Sequence, residues 1–196
     1  MTIDSTPTNH LTPQELDRNL AKFTRWAAGD LTGNRMRGLY AEWMIASQLG
    51  VLDEDASRVE WDMVDIRYKS LNIEVKTSGN RQQWSDKENQ PRFSIAPQSR
   101  IWNAELNQTQ QVVPARRTAD IYIFCLHTCT ELSTFAVANE DNWSFMPVLT
   151  SNLDDAFGAQ SSVSGGVLSR VGSWMPLRNA CEQLERFASP SVAATG

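Results

Sequence analysis

The stretch DIRYKSLNIEVK, residues 65–76, predicts two short β-strands joined by a tight turn. In its second half, apolar residues alternate with Glu74 and Lys76, which is the two-residue period of a strand with one polar face. A two-residue turn at 69–70 would place Asp65 opposite Glu74, whereas a turn one residue later would place it opposite Lys76. In either register the three polar side chains share a face, with cross-strand Cβ distances of about 5 Å.

These polar side chains form a candidate site for a divalent cation. Two carboxylates at such a distance repel each other in a half-buried site unless a cation lies between them. Carboxylate oxygens suit Mg²⁺ or Mn²⁺, and such an ion polarises a phosphoryl oxygen and acidifies a bound water. Lys76 beside the ion can position that water. The set therefore predicts hydrolysis of a phosphodiester; the structural alternative is two surface salt bridges, Asp65 with Lys76 and Glu74 with Arg67.

A helix predicted over residues 34–49, with Gly50 ending it, lies upstream of the hairpin and carries Glu42. The face expected to be buried comprises Met36, Leu39, Tyr40, Trp43 and Ser47. Glu42 falls at the edge of that face, one turn after Gly38, where the missing side chain leaves open space. The helix can therefore supply a further carboxylate to the site.

Asp62 competes with Asp65 for the place opposite Glu74. The alternation of apolar residues over 59–68 changes phase at 63–64, which indicates a bulge or a break in the strand. Such a slip could bring both aspartates near the site. Asp65 is preferred because its register to Glu74 is the shorter and simpler one.

The whole chain predicts one α/β domain over residues 12–188, between a flexible arm at 1–11 and a flexible tail at 189–196. A first helix is expected at 13–28, started by a capping box of Thr12 and Glu15. Its expected buried stripe comprises Leu16, Leu20, Phe23 and Ala27.

Further strands are predicted in four places, at 93–96, 119–127, 135–138 and 143–148. A last helix is expected at 176–188. Three segments are less regular: 80–91 predicts a loop or short helix, 98–118 has no clear period, and 151–173 predicts a long loop. The pattern is that of a mixed α/β protein.

Two segments together, RGLYAEWMIASQLG (37–50) and WDMVDIRYKSLNIEVKTSGNRQQW (61–84), resemble the PD-(D/E)XK nuclease superfamily. Within it they are similar to a bacterial branch with an RG-x-x-AEW helix and an EVK-(S/T) strand followed by Q-x-W. The resemblance covers about residues 34–128. It implies a restriction-endonuclease-like α/β fold: a three-layer α/β/α core in the order α-β-β-β-α-β, with a mixed central sheet and extra C-terminal strands and a helix.

The same resemblance implies roles for the site residues. Asp65 and Glu74 would be metal ligands, aided by the carbonyl of Val75, while Glu42 would bind or orient the metal and Lys76 would position the nucleophile. A glutamine is expected on the helix after the motif, where it supports the site or contacts the backbone; Gln82 is preferred and Gln83 is its rival.

Charge is unevenly distributed along the chain. The net charge is −5, yet residues 67–117 contain nine Lys/Arg and four Asp/Glu. Four basic residues are candidate phosphate contacts, namely Arg35, Arg37, Arg81 and Lys87, with structural pairing or surface solubility as the alternative. Trp84 and Trp102 are expected to anchor the core, with stacking on bases as their alternative role.

The predicted function is Mg²⁺-dependent (or Mn²⁺-dependent) hydrolysis of DNA by an endonuclease of the restriction, repair or defence type. RNA is a second substrate class. The alternatives are a catalytically silent nucleic-acid-binding or assembly module on the same fold, and a metal phosphoesterase for a small molecule. A homodimer is expected because cutting both strands needs two sites. Three cysteines, no apolar span of about 18 residues and no secretory signal predict a cytoplasmic protein without membrane contact.

Overall fold

The computed structural model of the chain describes residues 11–53, 63–85, 87–103 and 106–189. It contains both helices and strands, as expected for an α/β protein. In chain order they are α1 (Pro13–Ala28), α2 (Asn34–Gln48), β1 (Ile66–Tyr68), β2 (Leu71–Gly79), β3 (Arg92–Ser94), β4 (Gln98–Asn103), β5 (Gln108–Arg116), β6 (Ile121–His127), α3 (Thr134–Ala138), β7 (Trp143–Leu149), α4 (Thr150–Phe157), β8 (Ser162–Ser164), α5 (Gly165–Leu168) and α6 (Leu177–Ala188).

The chain divides after Asp30 into two compact units, and the first contains α1. The predicted capping box starts this helix: the amide of Glu15 donates to the hydroxyl of Thr12, and the amide of Thr12 donates to the Glu15 carboxylate. The prediction of a buried stripe is wrong, because α1 contains no buried residue. Its large apolar side chains are exposed, namely Leu16, Leu20, Phe23 and Trp26.

The second unit is built on a mixed four-stranded sheet in the order β1-β2-β6-β7. Strands β1 and β2 are antiparallel, β2 and β6 are parallel, and β6 and β7 are antiparallel. The predicted α/β class with a mixed sheet is therefore confirmed. In the described residues the parallel crossover from β2 to β6 contains β3 and the β4–β5 hairpin and no helix. The α-β-β-β-α-β order expected for this region is not found there.

Each face of the sheet has its own apolar core. On the first face, alternate residues such as Ile73 and Ile121 pack against α2 and α6. On the second face, Tyr122 and Phe124 pack against Phe93 of β3 and against α4, α5 and β8. Side chains alternate between the faces of a strand, so Glu74 and Lys76 lie on the second face. None of the described helices combines the length and apolarity that a bilayer span requires.

Helix α2 buries a different stripe from the one expected. Its buried residues are Arg37, Ala41, Met44, Ile45 and Ala46, whereas Trp43 is exposed. The expected stripe followed the aromatic side chains, but the helix turns Ala41, Met44 and Ile45 toward the sheet, and Ala41 is fully buried. Small side chains allow a close approach of helix and sheet, and Glu42 remains half-buried at the edge of the contact.

Two other predictions are corrected in the C-terminal half. Residues 135–138 belong to helix α3 and not to a strand, because the hydroxyl of Ser133 caps the helix by accepting from the amide of Ala136. Residues 151–173 contain α4, β8 and α5 where a long loop was expected. The strands predicted at 119–127 and 143–148 and the last helix are present.

Candidate active site

The β1–β2 hairpin has the shorter of the two registers considered above. Tyr68 lies opposite Leu71, so the turn consists of two residues, and Lys69 in it has a φ of 53°. Beyond the last strand pair, the amide of Asp65 donates to the carbonyl of Ile73 at 3.1 Å. Because Ile73 already pairs with Ile66, this bond is offset by one residue from the strand pairing, as in a β-bulge, and the regular register ends at Ile66. The rival aspartate, Asp62, lies outside the described residues.

Just before β1 begins, the side chain of Asp65 accepts a hydrogen bond that a backbone carbonyl would accept in a longer strand. The amide of Val75 donates to Oδ2 of Asp65 at 2.7 Å. In an extended strand the N–H and C=O of one residue point to the same edge, so the carbonyl of Val75 is directed to the edge where Asp65 lies. The carboxylate of Asp65 and the main-chain oxygen of Val75 therefore lie at the same edge of β2, and the charge of Asp65 acts on the neighbouring Glu74.

Glu74 and Lys76 form an ion pair on the second face of the sheet through Oε1 and Nζ. Glu74 is buried, whereas Lys76 is partly exposed. Burial raises the pKa of Glu74; the nearby Lys76 ammonium opposes the increase, and the charge of Asp65 adds to it. This carboxylate has lost hydration that a cation can replace.

A pocket of about 210 Å³ opens beside Lys76. Residues 94–98 and Tyr122 form the rest of its lining. Burial raises the pKa of Tyr122 and the charge of Glu74 raises it further, so its hydroxyl remains a hydrogen-bond donor at neutral pH. Tyr122 lies within a continuous apolar run of the sequence, which predicts a buried strand and carries no signal for a functional tyrosine.

Glu42 approaches the sheet from the first face. Burial raises the pKa of Cys125, which lies on that face, and the charges of Glu42 and Asp65 raise it further. The charge of Asp65 also raises the pKa of Tyr122 on the second face. The charge of Asp65 therefore acts on groups on both faces of the sheet.

The described residues contain no group of three or more His, Cys, Asp or Glu side chains in an arrangement that could hold a metal ion. The structure brings Asp65, Glu74 and Lys76 together around the hairpin, and Glu42 is not joined with them in a three-acid cluster.

Gln82 lies in a loop and not on the expected helix. Residues 80–85 and 87–91 form turns and an isolated bridge between Arg81 and Glu88. The amide oxygen of Gln82 accepts a hydrogen bond of 2.7 Å from Nη2 of Arg37. Both side chains are buried, so Gln82 connects the loop to α2. Its rival Gln83 is exposed.

Arg37 is not the surface phosphate contact that was considered. It is 1% exposed, and Nη1 donates to the carbonyl of Arg81 at 2.8 Å, while Nη2 also donates to Asn34. Burial lowers its pKa. The pairing is therefore structural, and its partners are amide and carbonyl oxygens. A missing side chain makes room for it, because a Cβ on Gly79 would lie 2.6 Å from Nη1.

The other candidate contacts differ in exposure. Arg35 and Lys87 are exposed, and Arg81 is partly exposed with Nη1 donating to the carbonyl of Thr130 at 3.2 Å. The expectation that both tryptophans anchor the core is wrong, because Trp84 is 73% exposed and Trp102 is 37% exposed.

Together, the fold and this site define an α/β protein whose mixed sheet carries two carboxylates and a lysine on one hairpin, beside a pocket. The family model of bacteriophage T4 endonuclease IV matches residues 18–151, which are 134 of the 196 residues of the chain. The chain therefore belongs to the bacteriophage T4 endonuclease IV family, and its resemblance to nucleases is confirmed at this level. The match includes α2 and the whole β1–β2 hairpin. No curated protein matches the chain.

Proposed function

We propose that this protein is a metal-dependent DNA endonuclease whose site has the PD-(D/E)XK arrangement. The observation that carries the proposal is the hairpin, on which Asp65 accepts a hydrogen bond from the amide of Val75 while Glu74 and Lys76 form an ion pair on one face of the same strand. Membership of an endonuclease family supports the reaction class. The excess of basic residues over 67–117 supports a polyanionic substrate, with DNA preferred to RNA.

The residues at the site fit a divalent cation. Asp65, Glu74 and the carbonyl of Val75 supply hard oxygen donors, which Mg²⁺ and Mn²⁺ prefer. The buried, poorly hydrated carboxyl of Glu74 has a raised pKa, which a cation at this edge would lower. Glu42 would bind or orient the ion from the first face. When bound, the ion would polarise the scissile phosphoryl group.

The protein's own groups account for binding and orientation. Lys76 lines the pocket, and its ammonium group, held by Glu74, can donate hydrogen bonds to a phosphate oxygen and to the attacking water. The neutral Tyr122 hydroxyl is a second donor in the pocket. The water oxygen forms the new bond to phosphorus, the bond to the leaving ester oxygen breaks, and the proton released by the water replaces that bond on the leaving oxygen.

The arrangement favours an active enzyme over a catalytically silent binding module. Glu74 and Lys76 are both present and form an ion pair in a partly buried site, which is costly to retain without a function. Restriction, repair or defence remains the proposed biological setting, and two copies would be needed to cut both strands of a duplex.

Plasmid cleavage by the purified full-length chain tests the proposal. We expect nicked and linear products with Mg²⁺, none in EDTA, and none from Glu74→Gln or Lys76→Met. Arg178→Ala is the matched control, because Arg178 is an exposed basic residue on α6, which packs on the opposite face of the sheet. Cleavage that survives Glu74→Gln in a correctly folded protein would overturn the assignment. DNA binding without cleavage would instead indicate the silent module, and hydrolysis of bis-p-nitrophenyl phosphate alone would indicate a small-molecule phosphoesterase.

A further inference from the structure

The β4–β5 hairpin is a separate two-stranded sheet that is not hydrogen-bonded to the main sheet. Most of its described residues are exposed or partly exposed, and Val112 is its one buried residue. A two-stranded ribbon of this kind buries too little apolar surface to be explained by its contribution to the core. The hairpin lies between β3 and β6 in the chain. It is therefore an insertion in the connection that joins β2 to β6 across the second face.

The two faces of this hairpin differ. Trp102 pairs with Thr109 and Arg100 pairs with Gln111, so these four side chains share one face. All four are exposed. On the other face, Ile101, Asn103 and Gln110 are partly buried. The exposed face thus presents a guanidinium, an indole, a hydroxyl and an amide.

The charge of the segment is positive. Residues 89–118 contain four arginines and one acidic residue, Glu105, which lies outside the described residues. One of the arginines, Arg117, is buried and donates to Asp154 and to the carbonyl of Ile95, so it is not part of the surface. The other three are exposed, namely Arg92, Arg100 and Arg116. This charge is complementary to a polyanion.

The hairpin is continuous with the candidate active site. Gln98, the first residue of β4, lines the pocket that also contains Lys76. Arg100 lies two residues further along the strand, just beyond an irregularity in the β4–β5 pairing. A ligand strand that occupies the pocket would therefore extend along the hairpin.

We propose that the β4–β5 hairpin contacts the DNA beside the bond to be cleaved, through the face formed by Arg100, Trp102, Thr109 and Gln111. Arg100 binds a backbone phosphate, and Trp102 lies against a base. The inference rests on the proposed function, because it assigns a substrate-binding surface to the same enzyme. Arginine and tryptophan on one exposed strand face provide charge neutralisation and a stacking surface, the two contacts that a DNA strand offers irrespective of sequence.

The test measures binding of the full-length chain to a fluorescein-labelled oligonucleotide in EDTA, by anisotropy, on a single strand and on the corresponding duplex. We expect Trp102→Ala to weaken binding to at least one form about 5- to 150-fold, as loss of base stacking does. Arg100→Ala should reduce the slope of log K against log salt by about 1, as loss of one phosphate contact does. Arg178→Ala, the exposed control on α6, should change neither quantity.

Measurement of kcat and KM for DNA cleavage distinguishes a failure of this inference from a failure of the proposed function. Arg100→Ala and Trp102→Ala should raise KM and leave kcat at saturating DNA within about threefold, since uniform binding is lost. Glu74→Gln should abolish kcat and retain DNA binding. If both hairpin variants bind and turn over as the wild type does while Glu74→Gln is inactive, the hairpin inference fails and the proposed function stands. If Glu74→Gln still cleaves, the proposed site fails.

A folding control completes the experiment. Trp102→Phe retains an aromatic ring and should bind more tightly than Trp102→Ala, which a general loss of hairpin structure would not produce. Equal weakening by Phe and Ala, together with an unchanged salt slope in Arg100→Ala, would overturn the inference. A change of sedimentation behaviour in the hairpin variants with unaltered DNA binding would also overturn it, since the surface would then join two copies of the chain.

Discussion

The amide of Val75 donates a hydrogen bond of 2.7 Å to the carboxylate of Asp65, one residue before β1 begins at Ile66. A side-chain oxygen thereby replaces the backbone carbonyl that a longer strand would have offered. The bond holds the carboxylate at the edge of β2, beside the strand that carries Glu74 and Lys76.

Asp65→Asn should separate structure from chemistry at this position. The amide oxygen of asparagine can still accept from Val75, so we expect a thermal midpoint close to that of the wild type. Loss of the negative charge should lower kcat by about 10²-fold or more, as removal of a group required in the transition state does. Asp65→Ala is the comparison variant, which loses activity and the hydrogen bond together. If Asp65→Asn cleaves DNA as the wild type does, Asp65 is not required for catalysis, and Asp62 becomes the candidate for its role.

Glu42→Gln should have a smaller effect than substitution of Glu74. Glu42 lies on the first face, half-buried on α2, and is expected to support a metal ion from a distance. Loss of such a supporting group typically weakens metal affinity about 10-fold or more, so the Mg²⁺ concentration for half-maximal cleavage should rise by that factor. Glu182→Gln on α6 is the matched control. An unchanged Mg²⁺ titration would exclude Glu42 from the site.

Gly79→Ala should destabilise the protein. An added Cβ would lie 2.6 Å from Nη1 of Arg37, a side chain that is held by buried hydrogen bonds and cannot easily move. Overpacking of this kind costs about 1–3 kcal/mol of the free energy of unfolding. Gly38→Ala is the control, because Gly38 lies within α2 and an added Cβ there would have no heavy atom within 4 Å. Helix propensity at such a position favours alanine by about 0.5–1 kcal/mol. Urea unfolding of both variants measures the contrast, and equal stabilities would contradict it.

Gln82→Ala tests whether this side chain is structural. Its removal leaves a buried guanidinium without one acceptor, which costs about 1–3 kcal/mol of the free energy of unfolding. We expect kcat of the folded protein to stay within about tenfold of wild type, since a positioning role through Arg37 is weaker than a direct one. The exposed Gln83→Ala should change neither stability nor kcat. A large fall of kcat with intact stability would restore the catalytic role proposed for Gln82.

His127 predicts a pH dependence of stability. Burial lowers its pKa, the contact with the carbonyl of Ala136 opposes this, and the charge of Arg37 lowers it further. The unfolded chain therefore binds more protons than the folded one as pH falls through about 6.5, the usual histidine value, so the free energy of unfolding should decrease from pH 7.5 to 5.5. His127→Gln should flatten that slope. His10→Gln, which removes the other histidine, should not, and an unchanged slope in His127→Gln would contradict the prediction.

Local patterns in the sequence predicted the elements with strong periodicity or clear boundary residues. The capping box of α1, the apolar run of β6 and the alternation in β2 each define an element through neighbours in the chain. The apolar character of residues 135–138 is compatible with a strand or a helix, and the sequence pattern favours a strand. In the structure they form a helix that begins with the cap by Ser133. The environment of Gln82 and the exposure of Trp84 and Trp102 were not predictable, because burial depends on which elements pack together.

By itself, the sequence determined the hairpin and its polar face, because strand alternation and a two-residue turn are local properties of residues 65–76. Only the tertiary structure decided which stripe of α2 meets the sheet, and that Arg37 is enclosed beside Gly79 and does not face solvent. It also decided that a pocket and an exposed hairpin adjoin Lys76. These features depend on contacts between segments far apart in the chain, where packing and desolvation outweigh local preference.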